Sequence, residues 1–319
     1  MKNEYTSSKN ENKLIHEKIK NNYNESIRIL RKARDEGQLV IFVGAGVSKA
    51  SGIPLWKEVV DKIAEHLNIE VDNVDTLKIP QYYYNAREKN EYNKLIKEIL
   101  LADKDIETNE LHNEIIKIDA HTIITTNYDN LIERAAEDNS VFLDVISCDS
   151  DLAYRSGEKE LIKMHGDFIH DNIVLKEDDY YSYSRNFRLI ENYVKSFVGT
   201  KVVLFLGYSF SDPDIKHIFG WVKNILNDDF QPAYLFDVEN DYDPNEEAYY
   251  KKFGINVMYS SVMFPDDNSE EDKSKKLHTM IKKINESNPQ SDVDKIYDRL
   301  RVFEKMKYAY GKTIESDVI

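Results

Sequence analysis

A histidine and an asparagine in this sequence could activate a hydroxyl group or a water molecule for a reaction that cleaves a bond. His165 lies in the segment Met-His-Gly-Asp, directly after an apolar stretch, and Asn127 follows an earlier apolar stretch. At about pH 7 a neutral imidazole can take a proton from a hydroxyl group or from water, and a side-chain amide can orient either one. A histidine that only bonds a loop carbonyl is the alternative for an isolated His-Gly pair. Together the two residues predict general-base chemistry.

A glycine loop that could hold a phosphate group precedes both residues. Its members are Gly44, Ala45, Gly46, Val47 and Ser48. Because two of these positions lack a Cβ atom, the backbone can turn sharply and bring its N–H groups close to a pyrophosphate, and Ser48 adds a hydroxyl group at a predicted helix start. Lys49 stands where the dinucleotide fingerprint has its third glycine, and the Walker pattern is not matched either. A tight turn that binds nothing is the alternative.

Apolar segments that alternate with helical patterns predict the elements that position these residues. The run at residues 39–43 is too short for a helix and too continuous for a half-exposed strand, so it predicts a strand buried on both faces. Further strands are predicted at residues 121–126, 161–164, 201–206, 233–236 and 255–259. This alternation predicts an α/β fold with a Rossmann-like, doubly wound parallel sheet.

The functional groups of a doubly wound sheet lie at the carboxyl ends of its strands. Asn127 and Asp129 follow the second predicted strand, His165 follows the third, and Gly207 and Ser209 follow the fourth. We therefore expect these residues to face one crevice together with the glycine loop.

Other polar residues have weaker contexts. Asp237 ends the fifth predicted strand, where a carboxylate could accept hydrogen bonds from ribose hydroxyl groups, or it could be a surface-turn residue. Asp212 and Asp214 are predicted to cap the helix that follows them. The seven histidines other than His165, among them His112, are expected to pack or to face solvent. A cluster of tyrosines is predicted to lie in a turn, and its members are Tyr180, Tyr181 and Tyr183.

The pattern along the chain predicts three regions. Residues 1–37 are predicted to form an N-terminal helical arm, and residues 38–265 the main α/β domain with a helical insertion at about 66–120. Residues 266–319 are predicted to form a C-terminal helical appendage, which would serve self-association, partner docking or simple capping of the domain.

Charge and cysteine content exclude several classes of protein. The net charge of −15, from 58 acidic and 43 basic residues, argues against generic nucleic-acid binding. The single cysteine, Cys148, cannot form an internal disulfide or a cysteine zinc site, and no metal site is predicted. The polar N-terminal segment does not resemble a secretory signal, and no stretch is long enough to span a membrane, so we expect a cytoplasmic protein.

Four motifs in this order resemble the sirtuin family. They are the Gly-Ala-Gly-x-Ser loop with Ser-Gly-Ile-Pro at residues 51–54, Thr-Thr-Asn-Tyr-Asp at residues 125–129, His165-Gly166, and the Gly207-Tyr208-Ser209 turn. The resemblance implies an NAD-binding catalytic domain in which His165 is the general base and Asn127 orients water or a ribose hydroxyl group. It implies that Asp129 accepts a hydrogen bond from the nicotinamide carboxamide, while the glycine loop and Ser209 hold the pyrophosphate.

Departures from protein-deacylating sirtuins refine the resemblance. Leu55, Trp56 and Lys57 stand where those enzymes have aspartate, phenylalanine and arginine, and a four-cysteine zinc module cannot be built. The chain looks more like the sirtuin-like domains of bacterial anti-phage defence proteins of the Thoeris type and related systems. That resemblance implies hydrolysis of NAD⁺ to nicotinamide and ADP-ribose, with NAD⁺ depletion in infected cells.

Two other functions remain open on the same residues. One is an NAD-dependent protein deacylase, and the other is a non-catalytic module that senses NAD or ADP-ribose and serves assembly. The resemblance to defence systems also implies a homo-oligomer and a partner protein such as a translocase ATPase.

Overall fold

A computed structural model of the chain describes residues 2–72, 74–100, 104–238, 242–264 and 272–286. The chain forms two compact units, Met1–Ile284 and Asn285–Ile319. The sheet and the candidate site belong to the first unit, and of the second unit only residues 285 and 286 are described. The rest of the predicted C-terminal appendage, at residues 266–271 and 287–319, lies outside the described residues.

Seven parallel strands form one sheet with the order β3-β4-β2-β1-β5-β6-β7. The strands are β1 Leu39–Val43, β2 Thr122–Thr125, β3 Asp144–Ile146, β4 Glu160–Lys163, β5 Val202–Leu206, β6 Ala233–Asp237 and β7 Ile255–Tyr259. All six predicted strands are present, and the predicted parallel α/β fold is confirmed. Strand β3 was not predicted, because it is a three-residue edge strand in which only Ile146 is buried.

Helices cover both faces of the sheet. They are α1 Lys2–Asp35, α2 Ala45–Ser48, α3 Trp56–Leu67, α4 Lys78–Ala86, α5 Lys89–Ile99, α6 Glu110–Lys117, α7 Leu131–Asp138, α8 Glu177–Asn186, α9 Arg188–Thr200, α10 Pro213–Leu226, α11 Pro244–Lys252 and α12 Asp272–Asn285. None of the described helices has the length and apolar character needed to span a membrane.

Strand β1 supplies side chains to two separate cores. Leu39, Ile41 and Val43 pack on one face of the sheet with residues of α1, α6, α7 and α12. Val40 and Phe42 pack on the other face with residues of α8, α9, α10 and α11. Both faces of the strand are therefore covered, which explains its uninterrupted apolar sequence.

A third, smaller core lies among α3, α4 and α5. Val60, Ile63, Ile79 and Ile96 are fully buried in it, and Leu175 joins them from the segment before α8. Helices α4 and α5 lie within the predicted helical insertion, and most of α3 precedes it. The apolar residues of these helices have a core of their own beside the two that cover the sheet.

Helix α12 packs into the same core as α1. Leu277, Met280 and Ile284 are buried there, and Arg31 of α1 donates through Nε to the backbone oxygen of Lys283 at 2.7 Å. This described part of the predicted appendage therefore caps the sheet domain.

The prediction of a turn at Tyr180, Tyr181 and Tyr183 is wrong, because all three lie in α8. The start of this helix is fixed by Asp179, whose Oδ2 accepts hydrogen bonds from the backbone N–H groups of Leu175 and Lys176 at 3.1 and 3.0 Å. The sequence of α8 is too polar to show helical periodicity, so the capping aspartate Asp179 was the only local pattern that could have indicated this helix.

The strands that precede the predicted site residues end at the same edge of the sheet. Strand β1 lies between β2 and β5, with Val43 level with Thr125 and with Leu206. Thr125 is in turn level with Lys163 at the end of β4. Because chain order reverses at β1, the loops after these strands meet at the position where doubly wound sheets bind ligands.

Candidate active site

The loops after β1 and β5 touch backbone to backbone. Gly44 N–H donates to the Leu206 oxygen and Gly46 N–H to the Gly207 oxygen, both at 2.9 Å. A Cβ atom on Gly44 would lie 2.5 Å from the Gly207 oxygen, and one on Gly207, whose φ is +60°, would lie 2.7 Å from the Val47 nitrogen. The glycines are therefore required because the two loops pack too closely for side chains.

Three N–H groups of the glycine loop already have protein partners. Besides those of Gly44 and Gly46, the N–H of Val47 donates to the Gly44 oxygen at 3.1 Å. Helix α2 begins directly at Ala45. Contact between this loop and a pyrophosphate stays a prediction, and the structure shows that close packing of two loops is a second reason for the glycine pattern.

Asn127 is buried against the glycine loop. Its Nδ2 donates to the Gly44 oxygen and to Ser48 Oγ, both at 3.3 Å. Its backbone N–H donates to Thr125 Oγ1 at 3.0 Å, and that hydroxyl group donates to the Val43 oxygen at 2.8 Å. The ends of β1 and β2 thus fix the amide of Asn127 in one orientation.

His112 is a site residue that sequence reasoning missed. It is fully buried, and its Nε2 lies 3.2 Å from Ser48 Oγ. Because its Nδ1 accepts the backbone N–H of Asn109 at 3.2 Å, Nε2 carries the proton and donates to Ser48. Burial lowers the pKa of His112 to about 4, so the imidazole is neutral. An asparagine three residues before a histidine at a helix start was the pattern that could have indicated this capping box.

Asp129 presents one free carboxylate oxygen. Its Oδ1 accepts the Leu131 N–H at 3.1 Å at the start of α7, and its Oδ2 is buried with no hydrogen-bond partner among the described residues. Lys163 Nζ donates to the Asp129 backbone oxygen and to Glu133 Oε1, both at 2.8 Å. A buried acceptor without a donor is the arrangement expected where a ligand amide binds.

His165 is held by its own loop and enclosed by aromatic rings. Its backbone oxygen accepts the Val174 N–H at 3.0 Å, and Gly166 follows with a φ of +69°. The rings of Tyr180 and Tyr183 meet the imidazole edge-on at centroid distances of 5.6 and 6.0 Å. Only 2% of the His165 side chain is exposed, so the ring is not a solvated surface group.

Two carboxylates face the imidazole of His165. Asp212 Oδ2 lies 3.5 Å and Asp214 Oδ2 lies 3.4 Å from Nε2. Burial alone would lower the pKa of His165, but the charges of Asp212 and Asp214 outweigh burial and raise it above the ordinary value of 6.5. The predicted capping role is confirmed for Asp212, whose Oδ1 accepts the N–H groups of Asp214 and Ile215. It is wrong for Asp214, which lies in the first turn of α10 and not at its cap.

Comparison with known families decides what this edge of the sheet belongs to. Residues 121–258, which include Asn127, Asp129 and His165, match the sequence model of the SIR2-like domain. This part of the chain is SIR2-like.

Curated relatives of this chain extend the comparison. Defense-associated sirtuin 2 of Bacillus subtilis is 32% identical over 306 residues, which cover 92% of this chain and 29% of that protein. NAD(+) hydrolase ThsA of Cytobacillus dafuensis is 32% identical over 214 residues, which cover 66% of this chain and 43% of that protein. The chain therefore spans less than half the length of these relatives. A crystal structure of a SIR2 homolog–NAD complex aligns with 81% of this chain and 94% of its own, at 14% identity and a TM-score of 0.42.

Two further predicted residues of the sirtuin-like site lie on the β5 and β6 side of the sheet. Ser209 is exposed, and its hydroxyl group shares a hydrogen bond of 2.8 Å with Ser211. Asp237 is the last residue of β6 and is level with Tyr259 of β7. Ser209 follows the end of β5 and Asp237 ends β6, so both lie at the edge of the sheet where they were predicted. Their contacts with a cofactor stay predictions.

A group of side chains that could bind a metal ion lies near the ends of β3 and β4. Ligand atoms of Cys148, Asp151 and His170 lie within 4.8 Å of one another. Protein groups already use these atoms, because Cys148 Sγ donates to Asp151 Oδ1 at 3.1 Å and His170 Nδ1 lies 3.0 Å from Asp167 Oδ1. The absence of a metal stays a prediction.

Lowering the pH from about 7 to about 4 is expected to lower the free energy of unfolding by about 3 kcal/mol through His112. The folded-state pKa of about 4 lies below the ordinary 6.5, so the unfolded chain binds the proton more readily between these values. This stability is present above the unfolded pKa and is lost as the pH falls through the folded pKa.

Urea unfolding of the wild type and of His112→Gln across this pH range measures the effect. The other titrating groups are common to both proteins, so the difference between the two curves isolates His112. A difference that does not change with pH would contradict a buried neutral imidazole.

Proposed function

We propose that this chain hydrolyses NAD⁺ to nicotinamide and ADP-ribose as an effector of bacterial anti-phage defence. The observation that carries the proposal is that Asn127, Asp129 and His165 follow strands that end at the same edge of the sheet as the strands before the Gly44 and Gly207 loops. Asn127 and His165 are buried there, and the Oδ2 atom of Asp129 is buried without a hydrogen-bond partner among the described residues. The names of the relatives, a defence-associated sirtuin and an NAD(+) hydrolase, support the same activity. The proposed catalytic domain comprises residues 38–265, with arm and appendage on either side.

The leaving group needs no proton from an acid, because nicotinamide is attached as a cation and departs as a neutral base. The bond between the nicotinamide nitrogen and C1′ of the ribose breaks, and its electron pair neutralises the pyridinium charge. A water oxygen forms the new bond to C1′, and the proton of that water passes to His165 and then to solvent. The site must therefore orient the ribose and the water, and it must accept one proton.

Each predicted residue has a role in this scheme. Asn127, fixed by the ends of β1 and β2, orients the attacking water or a ribose hydroxyl group. Asp129 accepts the nicotinamide carboxamide N–H through its unpartnered Oδ2. The residues proposed to hold the diphosphate and the adenosine ribose are Gly44, Ala45, Gly46, Ser48, Gly207, Ser209 and Asp237.

Incubation of the purified protein with NAD⁺ tests the proposal. We expect equimolar nicotinamide and ADP-ribose, and we expect Asn127→Ala to lower kcat by about 100-fold or more, the cost typical of losing one fixed polar group that acts in the transition state. The matched control is Asn192→Ala on the exposed face of α9, which should keep wild-type activity.

Two other products would contradict hydrolysis. Formation of O-acetyl-ADP-ribose from an acetylated peptide would assign the site to protein deacylation. Stoichiometric NAD⁺ binding without turnover, both for the purified protein and after addition of lysate from phage-infected cells, would assign it to sensing.

We further propose that the protein is a cytoplasmic homo-oligomer that works with a partner such as a translocase ATPase. The relatives extend well beyond the part that this chain covers, so that added regions or partners could regulate the same domain. A mass measurement that gives a stable monomer at micromolar concentration would contradict the homo-oligomer.

A further inference from the structure

Two carboxylate oxygens lie close to one ring nitrogen of His165, although a single acceptor could hold that nitrogen in place. Asp212 Oδ2 and Asp214 Oδ2 both lie within 3.5 Å of Nε2, and the three atoms lie within 4.8 Å of one another. The side chains of Asp212 and Asp214 are only 13% and 12% exposed. His165 Nε2 and Asp214 Oδ2 are also buried atoms that have no hydrogen-bond partner among the described residues, so they face each other at an ion-pair distance. The two carboxylate oxygens are thus the charged groups that His165 Nε2 faces at the shortest distances.

Capping of α10 does not account for this arrangement. Asp212 caps the helix with Oδ1, which leaves Oδ2 free to face His165. Helix α11 begins with the same Asp-Pro pair, where Asp243 caps through its side chain and remains exposed. A largely buried position facing a histidine is therefore a property of Asp212 that an Asp-Pro cap does not require.

The other titratable groups around His165 come from α8. Asp179 contributes a further negative charge, while burial raises the pKa of Tyr180 and Tyr183 far above neutrality, so both phenols are uncharged. Glu191 of α9 acts on Asp214 and adds to the negative field. Among the described residues, the charged groups that act on His165 are thus carboxylates.

We propose that Asp212 and Asp214 are positioning residues that orient the His165 imidazole and stabilise the imidazolium formed when it takes a proton. This inference rests on the proposed NAD⁺ hydrolysis. With the Nε2 proton donated to a carboxylate, Nδ1 carries the lone pair that accepts the proton of the attacking water. The imidazolium then has one N–H held by Asp212 or Asp214 and one N–H that returns its proton to solvent.

The pH profile of kcat/KM for NAD⁺ tests the role in Asp214→Asn and Asp212→Asn. Because a neutral His165 is the active form, activity falls as the pH drops through its raised pKa. Removing one carboxylate lowers that pKa, so the acid limb should move to lower pH, and the plateau kcat should fall about 10- to 100-fold. KM for NAD⁺ should stay within about threefold. Asn also caps helices well, so Asp212→Asn keeps the start of α10.

Asp243→Asn is the matched control, because it makes the same change at an exposed Asp-Pro cap. It should leave the pH profile unchanged. A merely structural role for Asp212 and Asp214 would lower thermal stability and the active fraction without moving the acid limb, and that result would overturn the proposal.

Titration of the His165 imidazole by NMR separates this inference from the proposed function. In ¹⁵N-histidine-labelled protein, the resonance lost in His165→Gln should titrate above 6.5 in the wild type and at lower pH in each aspartate variant. If NAD⁺ is not cleaved but these shifts occur, the proposed function fails and the carboxylate–imidazole pairing stands. An unshifted titration overturns the pairing, as does activity that EDTA removes and a divalent cation restores.

Discussion

Replacing His165 with alanine is expected to lower kcat for NAD⁺ cleavage by about 100- to 10,000-fold, the range that a positioned general base contributes. The buried imidazole faces two carboxylates and two aromatic rings, and no other histidine of the described chain has such surroundings. His112, the other buried site histidine, has both ring nitrogens engaged by Asn109 and Ser48 and cannot replace it. The loss should therefore appear in kcat, with NAD⁺ still bound.

His121→Ala is the matched control for this substitution. His121 is exposed and precedes β2 at the edge of the sheet opposite Asn127, so its removal should leave turnover unchanged. Thermal unfolding of His165→Ala should remain cooperative. A folded His165→Ala protein that keeps more than about a tenth of wild-type kcat would contradict a general-base role, since such a base contributes at least about 100-fold.

The sheet could be predicted from the sequence because its strands are buried on both faces. A central strand such as β1 is apolar at every position, and this pattern needs no knowledge of its neighbours. Strand β3 and helix α8 lack such patterns: one is a short edge strand and the other is polar throughout. Tertiary packing determines both, so hydrophobic periodicity could not reveal them.

Part of the candidate site could be predicted because several of its residues directly follow strands that are recognisable in the sequence. Asn127, Asp129 and His165 each follow a predictable strand, so their common edge follows from the topology alone. His112 comes from α6, and Asp212 and Asp214 from the start of α10, where the sequence pattern indicates a helix cap and nothing more. Their contacts with Ser48 and His165 depend on how loops pack across the sheet edge, which local patterns do not specify.

The close packing of the glycine loop against the Gly207 loop is likewise a tertiary contact that local sequence patterns do not specify. Gly44→Ala is expected to lower the free energy of unfolding by about 3 kcal/mol and to raise KM for NAD⁺ by about tenfold or more, which corresponds to about 1.4 kcal/mol. The backbone of Gly44, with φ −109° and ψ 177°, suits any residue, so the cost comes from contact and not from torsion.

The new methyl group would have no space. It would lie 2.5 Å from the Gly207 oxygen and 2.6 Å from Cδ2 of Tyr208. Neither neighbour can yield easily, because the Gly207 oxygen is bonded to Gly46 N–H and the Tyr208 ring packs on Phe205 at 5.4 Å. Relief would require the two loops to separate, which would also move the Gly44 oxygen that fixes Asn127.

Gly199→Ala in α9 is the control that separates this contact from a general effect of adding a methyl group. A Cβ atom there meets only Val222 and Leu226 side-chain atoms, at 3.6 and 3.7 Å, which is ordinary van der Waals contact. Because alanine favours helix over glycine, this variant should gain up to about 1 kcal/mol of stability and keep its KM. Urea unfolding and NAD⁺ kinetics of both variants measure the contrast. Equal stability and equal KM would show that the loops can part without cost, and that close packing is not what holds Asn127 in place.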